Sequence, residues 1–190
     1  LGIQARESTG ILIVGANELA TQVAQIAEQD GLLVLMVDTN ADLCQRARKL
    51  GLRAYQGSAL EPDRLVEQNL SGIGTLLAMT SSASVNSHTC ARIAPTLKIP
   101  LRYSVVTTTM TEAERLMVVE AAGKAAFART LDVGSILGLL RNNKAVVHSL
   151  VVGQVGELNQ PFLPLTFKTR EGLRLFAYGE DVPNGATVTG

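Results

Sequence analysis

Between residues 10 and 140 the chain switches repeatedly between short, fully apolar runs and stretches whose apolar residues recur every three or four positions. Runs of the first kind read as strands buried on both faces: ILIVG (11–15), LLVLMVD (32–38), RAYQG (53–57), TLLAMT (75–80), LRYSVV (101–106) and a short AAFA (125–128). Between them lie helical patterns. Leu19, Val23, Ile26 and Ala27 share one helix face, with Gly31 as a stop. Asn40 is placed to cap the next helix, which carries Leu43, Ala47 and Leu50 on one side and has Gly51 past its end. EPDRLVEQNL (61–70) follows, with Pro62 in its first turn. Ser82 or Ser84 caps a helix through Val85, Thr89 and Ile93 that ends near Pro95. TEAERLMVVEAAG (111–123) and Leu131–Leu140 complete the series.

Strand, helix, strand, helix with short connections means parallel strands joined by right-handed crossovers. The expected fold is α/β: a Rossmann-type, doubly wound parallel sheet over residues 10–143, preceded by a linker at 1–9. The pattern changes after Asn143. AVVHSLVV, LPLTFKT and GLRLFAY are β-like runs, separated by GQVGELNQP and REG and followed by the turn-rich GEDVPNGATVTG. Residues 144–190 are expected to form a small β-rich C-terminal appendix, cut before its natural end.

Composition narrows the function classes. The 190 residues are 46% hydrophobic and 18% charged, which is globular and not disordered. Aromatics are 4% and tryptophan is absent, so Leu, Val, Ile and Ala must fill the core. Seventeen acids balance seventeen bases, leaving no basic surplus to bind a phosphate backbone, so nucleic acid is not an expected partner. Cys44 and Cys90 are too few for a disulfide framework and read as reduced core residues, which suits a cytosolic setting. No apolar run is long enough to span a bilayer. The chain starts at Leu1 rather than Met, which suggests a piece of something longer.

The candidate chemistry starts at Gly15-Ala16-Asn17-Glu18-Leu19-Ala20. A dinucleotide-binding turn reads G-x-G-x-x-G/A between a strand and a helix. Gly15 supplies the tight turn, Ala20 lets the helix lie close to the strand, and the helix start suits a phosphate. Asn17 departs from the pattern: glycine there lets backbone approach a pyrophosphate, whereas Asn intrudes mildly, tolerates left-handed backbone and can hydrogen-bond. Asp38 ends the second strand, where a carboxylate accepts bonds from ribose hydroxyls and repels a 2′-phosphate. NAD or AMP is therefore favoured over NADP. Thr39 and Asn40, then Gly57, Ser58 and Ala59, then Met79, Thr80 and Ser81 follow the next strand ends and should complete the pocket at the carboxyl edge of the sheet.

No reactive set accompanies this turn. Tyr55, Tyr103 and Tyr178 each lack the Lys four positions on that short-chain dehydrogenases need. His88 and His148 are the two groups that titrate near neutrality. Metal-ligand spacing and a G-x-S-x-G elbow are both missing. A nucleotide pocket without acid, base or nucleophile reads as a sensor, not an enzyme. The alternatives are an NAD-dependent oxidoreductase completed by a partner subunit, with His88 as its best base, and a methyltransferase of similar topology using S-adenosylmethionine.

Residues 10–140 resemble the N-terminal lobe of RCK (Trk-type, TrkA-N or KTN) domains in the Gly15 turn, Asp38, Gly57-Ser58-Ala59, and Met79-Thr80-Ser81 with Asn86 one helical turn on. The tail, with LPLTFKTREGLRLF and PNGATVTG, is similar to the tails of cation/proton antiporters that carry this module. The resemblance implies a cytosolic regulatory domain tethered to the inner face of the membrane by a cation-transporter domain of the same polypeptide. It implies a homodimer, with the helix near Leu131–Leu140 at the interface through Leu131, Ile136, Leu139 and Leu140. It also implies NAD(H), AMP or another adenine nucleotide as ligand. Asn17 in place of the middle glycine, Ser58 where the family commonly has aspartate, and Arg102 early rather than late in its strand shift that expectation from a pyrophosphate towards a mononucleotide such as AMP, or no ligand at all.

Overall fold

The computed structural model describes residues 9–152 and 161–190. All but the last residue of the expected linker at 1–9 and most of the GQVGELNQP segment lie outside the described residues.

Five parallel strands form the main sheet in the order β3-β2-β1-β4-β5, with β1 (Gly10–Val14) at the centre. β2 (Val34–Asp38), β3 (Ala54–Gln56), β4 (Ile73–Ala78) and β5 (Leu101–Ser104) complete it. Strand side chains alternate between faces, and here the alternation divides the core in two. Ile11, Ile13, Val34, Met36, Leu77 and Tyr103 pack with one helical layer. Leu12, Val14, Leu35, Val37, Leu76 and Ala78 pack with the other. This is why the runs of β1, β2 and β4 read as continuously apolar: both faces of these three strands are covered, while the edge strands β3 and β5 are partly exposed.

The first layer holds α1 (Glu18–Gln29), which buries Leu19, Ala20, Val23, Ala24 and Ala27, and α2 (Ala41–Lys49). The second holds α3 (Pro62–Val66), α4 (Ala83–His88), α5 (Ala94–Thr96) and α6 (Glu112–Ala122). Asn40 caps α2 through bonds to the Asp42 and Leu43 N–H groups. Ser82 caps α4. A capping box of Thr111 and Glu114 starts α6, and Gly123 ends it in the left-handed region at φ 80°.

Two expectations need correction. The single helix expected from Ser82 to Pro95 is interrupted: Thr89–Ile93 winds as a π-helix between α4 and α5. Pro95 has no N–H and its ring crowds the carbonyl four residues back, so the ladder widens before it. An Arg102 guanidinium nitrogen donates to the freed Cys90 carbonyl at 3.4 Å. The sixth strand expected over 125–128 is reduced to isolated bridges, Ser104 to Ala125 and Ala126 to Ala177. Buried Phe127 sits at φ 68°, which ends any extended run.

The last helix, α7 (Val133–Arg141), starts later than expected, and Leu131 before it belongs to the core. Ile136 and Leu140 pack against the same core, leaving Leu139 as the exposed member of the expected interface stripe. Beyond α7 a four-stranded antiparallel sheet forms in the order β6-β9-β7-β8, from Ser149–Val151, Thr187–Thr189, Thr166–Thr169 and Gly172–Leu175 respectively. Leu165, Leu175 and Ala177 join it to the first core layer, and the Phe127 N–H donates to the Phe176 carbonyl at 2.9 Å. Cys44 and Cys90 are both buried and free, as expected, and burial raises both thiols, that of Cys90 to about 12.

The start of β1 tests this packing. A Cβ on Gly10 would lie 2.8 Å from the Gly72 carbonyl oxygen and 2.9 Å from that of Leu33. Backbone cannot yield there as a side chain could. Gly10→Ala should therefore lower unfolding free energy by about 1–3 kcal/mol in urea denaturation, while a change below about 0.5 kcal/mol would show a looser junction.

Candidate functional site: a cleft at the carboxyl edge of the sheet

The strand order reverses between β1 and β4, and there the helices of the two layers diverge. A crevice at the carboxyl ends of the strands is the expected consequence. A cleft of about 720 Å³ opens at that point, within the range of small-molecule sites.

Its floor is the turn after β1. Gly15 has φ 111°, and a Cβ on it would meet the Met79 carbonyl carbon and oxygen at 3.1 Å. Only glycine fits both demands. The Gly15 N–H donates to the Val37 carbonyl, and the Met79 N–H to the Val14 carbonyl, at 2.8 and 2.7 Å. The turn is thus held against both neighbouring strands.

Asp38 sits half-buried at the rim. One carboxylate oxygen accepts the Ala16 N–H at 2.8 Å, and the other accepts the Asn40 N–H at 2.9 Å. The carboxylate is fixed in direction, and each oxygen retains acceptor capacity for a hydroxyl.

Asn17 behaves differently from the expectation of left-handed tolerance. Its backbone is extended (φ −68°, ψ 172°), and it is the N-cap of α1. Its Oδ1 accepts the Ala20 N–H at 2.9 Å, and its Nδ2 donates to the Met79 carbonyl at 3.1 Å. The side chain thus bridges the helix start and the end of β4. It takes up an N–H that a phosphate at this helix end would otherwise use.

Other expected residues divide by role. Thr39, Asn40, Gly57, Ser58, Ala59, Met79, Thr80 and Ser81 line the cleft with Gly15, Asn17 and Asp38. Ala16, Glu18 and Leu19 do not. Ala16 is buried and contributes its N–H to Asp38. Leu19 is a core residue, because the first inward position of an amphipathic helix falls there. Glu18 turns sideways to Arg141. Ser58 Oγ accepts the Leu60 N–H. Thr80 is committed to fully buried Asn86: its hydroxyl donates to Asn86 Oδ1 at 2.7 Å, its N–H donates there at 3.1 Å, and its carbonyl accepts from Asn86 Nδ2 at 3.0 Å.

Sequence reasoning missed a third wall. Thr107, Thr108 and Thr109 line the cleft after β5, as do Asp132, Leu137 and Arg141 from α7 and its cap. The threonines carried the same signal as the other strand ends, polar residues directly after an apolar run. The α7 residues carried none, because their arrival depends on that helix packing against α1. Asp132 caps α7, and bonds from the Ser135 hydroxyl and N–H hold its carboxyl below the usual range. Arg141 donates through Nε and one terminal nitrogen to the two Glu18 oxygens, at 2.7 and 3.0 Å. That hydrogen bond is the main reason Glu18 titrates below its ordinary value, against the opposing effect of partial burial.

The ionisable side chains on the cleft wall are Asp38, Asp132 and Arg141. His88 and His148 are both exposed and lie off it. Among the described residues no group of three or more His, Cys, Asp or Glu is placed to hold a metal ion. Val37, Leu43, Leu60 and Val85 give the wall its apolar part. This set fits an adenine nucleoside: a flat apolar group beside apolar side chains, and a sugar at a fixed carboxylate.

Asn86 is a positioning residue for the β4–α4 rim. Asn86→Ala removes three bonds from a buried pair and should cost about 2–4 kcal/mol of stability in urea denaturation. A loss under about 1 kcal/mol would mean that water replaces the amide.

Comparison with known proteins agrees with this geometry. The TrkA-N domain model matches residues 11–123. Among solved structures, the TrkA-N domain of the inner membrane protein ybaL from Escherichia coli superposes with TM-score 0.54 at 11% identity, covering 70% of this chain and 94% of that one. The GsuK channel bound to NAD superposes with TM-score 0.52 at 15% identity over the whole of this chain and 38% of its own length. The GsuK RCK domain superposes with TM-score 0.51 at 10% identity, over 96% of this chain and 43% of that one. The present chain thus spans well under half of the channel polypeptides it matches. No curated protein matches the sequence. With the family model covering more than half of its length, the Gly15 turn and the Asp38 rim inside that match, the chain belongs to the TrkA-N domain family.

Proposed function

We propose that this chain is a regulatory module that senses an adenine nucleotide, NAD(H), AMP or a close relative, on behalf of a cation transporter. The observation that carries the reading is the fixed carboxylate of Asp38 at the mouth of an open cleft beside the Gly15 turn. In this reading Gly15, Asp38, Thr39 and Asn40 hold the ribose and phosphate side, and Asn17 stands between that side and the start of α1. Gly57, Ser58, Ala59, Met79, Thr80 and Ser81 shape the opposite rim. Ala16, Glu18 and Leu19 act behind it. All three ionisable groups on the wall are engaged in hydrogen bonds within the protein, which supports holding a ligand rather than transferring protons to it. The oxidoreductase alternative needs a base at the cleft, and its best candidate, His88, lies elsewhere.

The partner is a membrane-embedded cation-transporter domain, in the same polypeptide, with the module on the cytoplasmic face. The likeness of fold to a solved channel bound to NAD supports a channel or transporter as the partner. Among the described residues no helix is long and apolar enough to cross a membrane. The module divides near residue 143 into a nucleotide lobe and the antiparallel appendix. A homodimer transmits the signal, its shape biased by a ligand with unequal affinity for two states. The exposed Leu116, Met117 and Val119 on α6 give a second copy an apolar surface to cover. On α7, Leu139 is exposed and Ile136 and Leu140 are only partly buried, so that helix offers a second such surface.

Titration calorimetry with AMP, ADP, ATP, NAD and NADH tests the reading. At least one should bind, and Asp38→Ala should weaken it about tenfold or more, the worth of hydrogen bonds to a charged acceptor. Silence from all five at millimolar concentration would contradict it.

A further inference from the structure

Resting on the adenine-nucleotide reading, we infer that the Glu18–Arg141 pair sets how many phosphates the cleft accepts. Arg141 is the one cation on the described cleft wall, and Asp38 and Asp132 are its two carboxylates. A phosphorylated ligand therefore depends on Arg141 for charge. Yet both oxygens of Glu18 already occupy its guanidinium, at 2.7 and 3.0 Å, in the planar paired geometry that suits a carboxylate or a phosphate equally. Glu18 is also the first residue of α1, where the helix dipole favours an anion. Arg46 from α2 lies 3.9 Å from the same carboxylate. The chain's own carboxylate thus sits among the groups a phosphate would use.

Asn17 acts in the same direction. Its Oδ1 holds the Ala20 N–H, so a second donor is withdrawn from a phosphate. Neither side chain hydrogen-bonds Asp38, where the sugar would lie. Glu18 and Asn17 together leave the nucleoside end intact and weaken the phosphate end. The module would discriminate against multiply charged ligands, and adenosine and AMP become the informative pair. Glu18 is the specificity-determining residue, and Arg141 is the cation it restrains.

The test is calorimetry of the 190-residue chain with adenosine and AMP separately, on wild type, Glu18→Gln and Arg141→Met. The quantity read is the ratio of AMP affinity to adenosine affinity, and adenosine binding reports that each variant has kept a folded cleft. Removing the Glu18 charge frees Arg141 and should raise the ratio by about two- to fivefold, the size of one solvent-screened charge pair. Removing Arg141 leaves Glu18 unpaired and should lower the ratio by a similar factor. A ratio moved by neither variant, or moved in the opposite sense by Glu18→Gln, overturns this inference while the adenine reading stands. Failure of all three proteins to bind either ligand overturns that reading, and this inference with it.

Discussion

Two backbone N–H groups, from Ala16 and Asn40, converge on one carboxylate, and the functional edge of the molecule depends on that convergence. Asp38 is the last residue of β2. It ties the turn after β1 to the cap of α2. The bonds to N–H groups orient the charge and leave it able to accept more. A carboxylate buried without such partners would be costly. One free in solvent would have no fixed direction. Asp38 lies between those cases, and that is the condition for recognising a sugar.

The surrounding architecture protects this arrangement. Odd-numbered residues of β1 face one helical layer and even-numbered residues face the other, so the central strand is buried throughout and cannot shift register without exposing its core side chains. Gly15 is bonded to β2 through Val37, and the Val14 carbonyl before it accepts the N–H of Met79 just past β4. Asn86 holds the neighbouring rim through Thr80. The antiparallel sheet adds Leu165, Leu175 and Ala177 to the same core layer that carries α1 and α7, and Lys168 forms an ion pair with Asp30 beside α1. The appendix therefore packs on the helix whose N-cap, Asn17, lines the cleft.

Much of this was legible from local pattern. The five strands, the caps at Asn40 and Ser82, the Gly15 turn and the rim position of Asp38 follow from short-range rules of periodicity, capping and backbone freedom. The failures share a cause of another range. AAFA has the composition of a strand, but Phe127 takes a left-handed backbone to fill the core, which no local propensity foretells. Glu18 and Leu19 belong to the motif by position, yet helix rotation sends one to Arg141 and the other inward. Arg141 and Asp132 reach the cleft only because α7 packs on α1, an encounter between segments more than a hundred positions apart. Asn17 reads as a backbone exception and proves to be a cap, since its side chain, not its dihedrals, occupies the space that glycine would leave open.

The central claim is that an adenine nucleotide lies across this rim with its ribose at Asp38. Amide chemical-shift mapping of the labelled chain during titration with AMP tests it most directly. The account predicts a saturable response in the N–H signals of Ala16, Thr39, Asn40, Gly57 and Thr80, with little change along β7 and β8. Shifts confined to the antiparallel sheet, or none at the Asp38 rim at saturating AMP, would contradict it.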